Sequence, residues 1–378
     1  MKSLRVSLCL FGLMLFAAQP ATTAQQSPNT AGTRPGARDF RLNVDMVVVD
    51  AQVLQKKTAR VVGGLRMEDF VVYEEGTKQQ LTQFSQESLP LSVILLVDRG
   101  TSFGECFLPG PGAASYDPFT DTIRHATNEA LSRLRPNDEV ALMAFGDRVE
   151  LISAFSKDKT LISDAVYKVP TLKQEGDGKV SGPVTAQGGR CFNMALWAAS
   201  RFMREAANPE GRRVIIMVTG TMLSLDCSPP ESRNWPASSR EAHEELFATG
   251  TLVCGLIPTT IQQQTDEGKW SVAVRNNVLL DKGLARAPLT SLPQFAEETG
   301  GEMFSSKPAD IDRAFDDLID HLRNRYTLGF VSSNTKHDGR IRKLKVDLSP
   351  EARAREGEVV VKARQAYVAG KGVSEGGR

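Results

Sequence analysis

The stretch Leu91-Ser-Val-Ile-Leu-Leu-Val-Asp98 constrains the fold more than any other part of the chain. Six of its first seven residues are apolar, and they show no helical spacing. The run stops at an acidic residue and the turn Gly100-Thr-Ser102. A short apolar run closed by a turn predicts a strand buried on both faces, the kind found at the centre of a helix-covered sheet. In open α/β sheets the residues that handle ligands lie just past the carboxyl ends of such strands. Asp98 and Ser102 are therefore the first functional candidates.

Downstream, strand and helix patterns alternate. Apolar spacing predicts a helix over 119–134, strands over 139–145 and 149–155, and a short helix over 159–166. A helix over 191–206 and a strand over 213–219 follow, then a helix over 240–249 and a strand over 251–257. The last three elements are a helix over 292–299 stopped by Gly300-Gly301, an edge strand over 302–305 and an amphipathic helix over 311–324. Residues 172–189 read as a loop, and 259–288 as irregular with a hairpin around Trp270–Val274. The alternation predicts a doubly wound, mostly parallel sheet with helices on both faces.

The flanks differ. Strand patterns occupy 42–53, 70–76 and 80–84 on one side, and 326–331, 339–348 and 359–367 on the other. Residues 38–88 are too few to bury a core alone. The simplest packing joins them to 325–368 in one small β-sandwich, with an α/β domain over 89–324 inserted between. Residues 25–37 read as a flexible leader and 369–378 as a disordered tail.

Residues 1–24 carry Lys2 and Arg5, then an apolar run from Val6 to Ala18, then small residues around Ala24. That order predicts a secretory signal peptide. Its core of about 13 residues is too short for a span, which needs roughly 20. The mature chain is expected in the periplasm or outside the cell, with no membrane span after cleavage. With 46 basic and 45 acidic residues overall, nothing points to nucleic acid. Export places the cysteines in an oxidising space. Four remain after cleavage, Cys106, Cys191, Cys227 and Cys254, and sequence alone leaves their pairing open.

Several matches now accumulate. Phe40-Arg-Leu-Asn-Val-Asp-Met-Val-Val-Val leads to Gly64-Leu-Arg-Met-Glu-Asp-Phe-Val-Val-Tyr-Glu-Glu-Gly76. Phe295-Ala-Glu-Glu-Thr-Gly-Gly-Glu-Met-Phe304 and Tyr326-Thr-Leu-Gly-Phe330 follow. With the Asp98 strand, these make the α/β section resemble a von Willebrand factor type A (VWA) domain. The whole mature chain resembles the acidobacterial VWA-related family of exported proteins. The resemblance implies a Rossmann-like fold and protein–protein or adhesive binding through the strand-end face, without enzymatic activity.

It also implies a cation site of Asp-x-Ser-x-Ser, a later Thr and a later Asp, supplying oxygen ligands to a hard divalent ion. This sequence departs from that pattern three times. The first loop reads Asp98-Arg99-Gly100-Thr101-Ser102-Phe103. Arg190 stands at the threonine position, and Gly220, before Thr221, at the aspartate position. Asp98 and Ser102 alone survive, so no metal and no cofactor are expected. Either Arg190 pairs with Asp98 in place of the cation, or Arg190 faces solvent and Asp98 caps local N–H groups. Arg99, Thr101, Ser102, Phe103, Arg190 and Thr221 are the expected contacts for an unidentified protein ligand. In the VWA topology the first and fourth strands are neighbours, which favours a Cys106–Cys227 bridge and a buried free Cys254.

Two other readings compete. One is a structural scaffold of an envelope assembly with a silent strand-end face. The other is a serine hydrolase, because Gly100-Thr-Ser102-Phe-Gly104 matches the nucleophile-elbow pattern, with His243 or His321 as base. Against the hydrolase, an elbow opens a helix, and Phe107-Leu-Pro-Gly-Pro-Gly112 forbids one. His125 and His321 read as surface or packing residues, Trp197 as core, and Glu241, Glu244 and Glu245 as a solvated helix face.

Overall fold

The computed structural model describes residues 46–98, 118–146, 149–168, 173–174, 180–181, 191–220, 223–225, 238–258 and 289–370. The chain opens with β1 (Met46–Gln55), β2 (Phe70–Glu74), β3 (Thr77–Gln79) and β4 (Leu81–Ser85). The middle section holds β5 (Leu91–Asp98), α1 (Pro118–Ser132), β6 (Glu139–Phe145), β7 (Val149–Ser156), α2 (Lys159–Lys168), β8 (Lys173–Gln174) and β9 (Val180–Ser181). It continues through α3 (Phe192–Phe202), β10 (Arg212–Val218), β11 (Leu223–Leu225), α4 (Ser239–Thr249) and β12 (Leu252–Pro258). It ends with β13 (Leu289–Ser291), α5 (Leu292–Thr299), β14 (Met303–Ser306) and α6 (Ile311–Arg323). The chain closes with β15 (Tyr326–Val331), β16 (Ile341–Leu348), α7 (Pro350–Glu356), β17 (Val359–Ala363) and β18 (Ala366–Val368).

The central sheet has the order β14-β12-β10-β5-β6-β7. Its first five strands are parallel, and β7 returns antiparallel beside β6. All eight residues of β5 are buried, as a strand covered on both faces requires. Its side chains alternate. Leu91, Val93, Leu95 and Val97 pack with Leu131, Ile162, Phe315 and Leu318 under α1, α2 and α6. Ile94 and Leu96 pack with Phe192, Leu196, Leu246 and Phe295 under α3, α4 and α5. Burying each such side chain stabilises by about 1.5–3 kcal/mol.

The helix ends follow local chemistry. In α4, Ser238 and Glu241 form a capping box, and Gly250 ends the helix in the left-handed region. In α5, Ser291 caps and Gly300 terminates at φ +80°. A side chain on Gly300 would strike the Ala363 backbone at 2.5 Å, so this turn is also where β17 leans on the α/β section. Along α6, Ile311, Ala314, Phe315, Leu318, Ile319 and Leu322 form the buried stripe.

The flanking strands form two antiparallel sheets, β17-β1-β15-β4 and β18-β16-β2-β3. Val47, Val49, Ala51 and Val53 of one share a core with Phe70, Val72, Leu344, Val346 and Leu348 of the other. Strand β1 lies between β15 and β17, so its ladder partners come from the far end of the chain.

Several features depart from the sequence expectation, among them a two-stranded ribbon of β8 and β9 where a loop was expected, and β4 pairing with β15 while β2 pairs with β3. Helix α7 was not foreseen. Ser349 caps it and Pro350 opens it, but Ala352 is its one buried residue, too little to make a periodic pattern. The single strand expected over 359–367 is two strands in different sheets. Gln365 sits at the crossing; its N–H donates to the Glu298 carbonyl at 2.8 Å and its carbonyl accepts from Leu344 at 2.7 Å. A small ribbon pairs β11 with β13. The hairpin expected around Trp270–Val274 lies outside the described residues.

Sandwich and α/β section meet through buried charge. Arg212 opens β10 with its side chain fully buried, and it grips the Asp50 carboxylate of β1 with Nε at 3.0 Å and Nη2 at 3.2 Å. Arg325, also fully buried, donates to Gln52 Oε1 at 3.1 Å and to the Gly300 carbonyl at 2.6 Å. Gln52 in turn donates to the His321 carbonyl at 3.2 Å. Burial pushes the Asp50 carboxyl up, but the Arg212 charge and hydrogen bond, helped by Arg325 and Thr327, hold it below the usual carboxylate value. Replacing Asp50 by Ala leaves Arg212 buried without its counter-charge, which should cost about 3 kcal/mol in urea unfolding at pH 7. Because the folded Asp50 pKa is depressed, its contribution is complete above the ordinary value near 3.8 and is lost as pH falls through the folded value. The wild-type and Asp50→Ala midpoints should therefore converge on acidification.

A candidate site at the carboxyl end of the central sheet

Strand order places the site. From β5 the chain crosses to β6 on one side, and β10 lies on the other side of β5. The strand ends of β5 and β10 thus flank the topological switch point. Register aligns Val97 with Val218 and Asp98 with Phe145. The residue that follows Val218, Thr219, meets Asp98. Its Oγ1 donates to Asp98 Oδ2 at 2.6 Å, with Asp98 3% exposed and Thr219 fully buried. A hydroxyl donating to a buried carboxylate at this length is a strong, charge-assisted bond.

Gly220 follows, half-buried. The start of α3 supplies the next wall. The Phe192 N–H donates to Ser224 Oγ at 3.3 Å, and Asn193 and Ser224 are fully buried. Phe192 meets Phe145 edge-on, with ring centroids 5.9 Å apart, and gives the polar group an apolar floor. Behind it, Arg201 lies over the Trp197 ring at 4.7 Å.

Of the sequence candidates, the structure places Asp98 and Gly220 at this strand end. Arg99, Gly100, Thr101, Ser102, Phe103, Arg190 and Thr221 lie outside the described residues, as do Cys106 and Cys227. Thr219, Asn193 and Ser224 escaped the sequence reading. The position of Thr219, directly after an apolar strand and before Gly220, is the one signal that could have found it.

Cys191, beside Asn193, is in a disulfide whose partner lies outside the described residues. Cys254 is free and buried in β12, and burial pushes its thiol up to about 11. The two histidines considered as bases are held elsewhere. His243 stacks on Phe295 at 3.9 Å between the Ser239 carbonyl and Glu298. His321 contacts Glu302 at 3.0 Å, at the Arg325 end of the sheet and away from Asp98.

Among the described residues the site offers one carboxylate, Asp98, whose Oδ2 already accepts from Thr219, and Gly220 brings no side chain. A hard divalent cation takes six or more oxygen ligands, waters among them.

The family model for the von Willebrand factor type A domain matches residues 93–222. The chain carries a VWA domain. No curated protein matches it in sequence. Among solved structures, it is similar to an aerotolerance-related membrane protein from Bacteroides fragilis NCTC 9343, at 13% identity and TM-score 0.35, over 61% of this chain and 98% of that one. It is similar to proximal thread matrix protein 1 from the mussel byssus, at 14% identity and TM-score 0.37, over 66% of this chain and 49% of that one. It is also similar to the vWF domain of the type V pili tip protein Mfa5 from Porphyromonas gingivalis, at 9% identity and TM-score 0.34, over 62% and 95%.

Thr219→Val keeps the shape of the VWA site but removes the hydroxyl from Asp98. It should lower stability by about 1.5–3 kcal/mol in urea unfolding, whereas Thr219→Ser should stay close to wild type.

Proposed function

We propose that this chain is an exported, non-enzymatic VWA-domain protein that binds a protein partner through the carboxyl face of its central sheet, without a cation in the Asp98 site. The observation that carries the reading is the Thr219–Asp98 hydrogen bond at 2.6 Å, buried at the switch point. It engages one oxygen of the carboxylate that a hard cation would need. The face would then recognise its ligand through side chains around the strand ends, with Arg99, Thr101, Ser102, Phe103, Arg190 and Thr221 as the contacts. The signal-like segment before Gln25 supports export to the periplasm or beyond. No helix among the described residues is long and apolar enough to cross a membrane.

A scaffold role is the second reading. It is favoured by the outer face of the β1 sheet, where Met46, Val48 and Val331 are each more than 40% exposed. Combined alanine substitution of Arg99, Phe103 and Arg190, followed by pull-down from envelope extract, separates the two. Loss of a captured partner supports the face; an unchanged set of partners assigns binding to the sandwich instead. Titration with Mg²⁺ should give no saturable binding, and stoichiometric uptake abolished by Asp98→Asn would refute the cation-free reading.

The bridged Cys191 and the free Cys254 bear on the favoured Cys106–Cys227 pair. With Cys9 inside the signal-like segment, a bridged Cys191 competes for Cys106 or Cys227. Peptide mapping without reduction should recover Cys191 cross-linked to one of them. Cys254 should react with an alkylating agent only after unfolding.

A further inference from the structure

We propose that His125, Glu129 and Asp312 form a binding site for one divalent transition-metal ion of the Zn²⁺ class, on the seam between α1 and α6. The site is separate from the Asp98 strand end and does not rest on the partner-binding reading.

Fold and sequence bring the three groups together. Helices α1 and α6 cover the same face of the sheet, with Leu131 of one and Ile311, Phe315 and Leu318 of the other in one core. His125 and Glu129 are one helical turn apart, so both project from the same side of α1. Asp312 lies in the first turn of α6. One ligand atom from each residue falls within 4.8 Å of the other two.

His125 and Asp312 already meet across the seam as an ion pair. His125 Nε2 and Asp312 Oδ1 are 3.0 Å apart. Yet Asp312 Oδ1, closed off from solvent, has no hydrogen-bond partner. The imidazole nitrogen is near the carboxylate oxygen without aiming a proton at it. Leaving that oxygen without a hydrogen bond carries a cost, a modest one because the Asp312 side chain as a whole is 45% exposed. A shared cation removes the cost, because Zn–N and Zn–O bonds of about 2.0–2.2 Å put two tetrahedral ligand atoms roughly 3.4 Å apart. Small side-chain rotations bring Glu129 into the same shell.

Charge and ligand type select the ion. Two carboxylates face one imidazole, so a divalent ion neutralises the cluster. The competing cation, Arg133, is drawn one turn away by Asp316 at 2.8 Å and comes no nearer than 4.0 Å to Glu129. An imidazole among three ligands favours Zn²⁺, Ni²⁺ or Cu²⁺ over Mg²⁺ or Ca²⁺. Three protein ligands leave a fourth position for water or for a side chain from another molecule.

The test is calorimetric titration of Zn²⁺ into the metal-stripped, tag-free full chain. One equivalent should bind with micromolar affinity. Asp312→Asn and Glu129→Gln should each weaken it at least tenfold, while Asp320→Asn on α6 should leave it unchanged. No saturable binding in the wild type, or wild-type affinity in either ligand variant, would overturn the proposal. A measurement on the wild type avoids any folding defect of the variants. Zn²⁺ should protect His125 from diethyl pyrocarbonate, read by peptide mass spectrometry; equal labelling with and without Zn²⁺ would also overturn it.

Discussion

The structure depends on two buried arginines. Arg212 starts β10 and Arg325 immediately precedes β15, and each has its guanidinium out of water. Neither would be stable there on its own. Asp50, Gln52 and the Gly300 carbonyl surround them with acceptors, and these belong to β1 and to the end of α5. The requirement fixes how sandwich and VWA domain sit together: a rotation of either would strand a charge. An apolar contact of the same size would tolerate sliding. The paired guanidinium does not, which is where the orientation of the two parts comes from.

The opposite end of the sheet follows a different logic. Asp98 is as buried as the arginines, but its observed hydrogen bond is to a neighbouring strand-end hydroxyl. A VWA fold puts loops of variable chemistry at this point, and the strands below hold their roots rigid. Phe145 and Phe192 seal the floor, so the polar group cannot relax downward into the core. Packing and a hydrogen bond contribute rigidity here.

Much of this was legible in the chain. The central strand announced itself through an unbroken apolar run, and α6 through its period, because burial on two faces or on one stripe leaves a regular pattern. The shared sandwich followed from size alone, since residues 38–88 have no core without a partner. The joint was not legible. Asp50 and Arg212 are 162 residues apart, and Gln52 and Arg325 are 273 apart. A polar residue inside a strand pattern reads as a solvent-facing one. Thr219 was missed for a related reason: a β-branched residue at the end of an apolar strand looks like more strand. His125 reads in sequence as a surface or packing residue, and it is exposed; a single histidine on a helix says nothing about the carboxylate that another helix, far along the chain, brings beside it.

The placement of β1 between β15 and β17 sets an order of assembly. The first strand has no neighbour to pair with until nearly the whole chain exists, since Met46 aligns with Val331 and Gln55 with Val359. The inserted VWA section draws on contacts nearer in sequence and can condense earlier, but Arg212 then waits for Asp50 to arrive. Long-range pairing of this kind is slow, because a large loop closes before any contact rewards it. A chain interrupted before β17 therefore leaves one edge of β1 without its ladder partner. The sandwich therefore closes only after its last strands have been made.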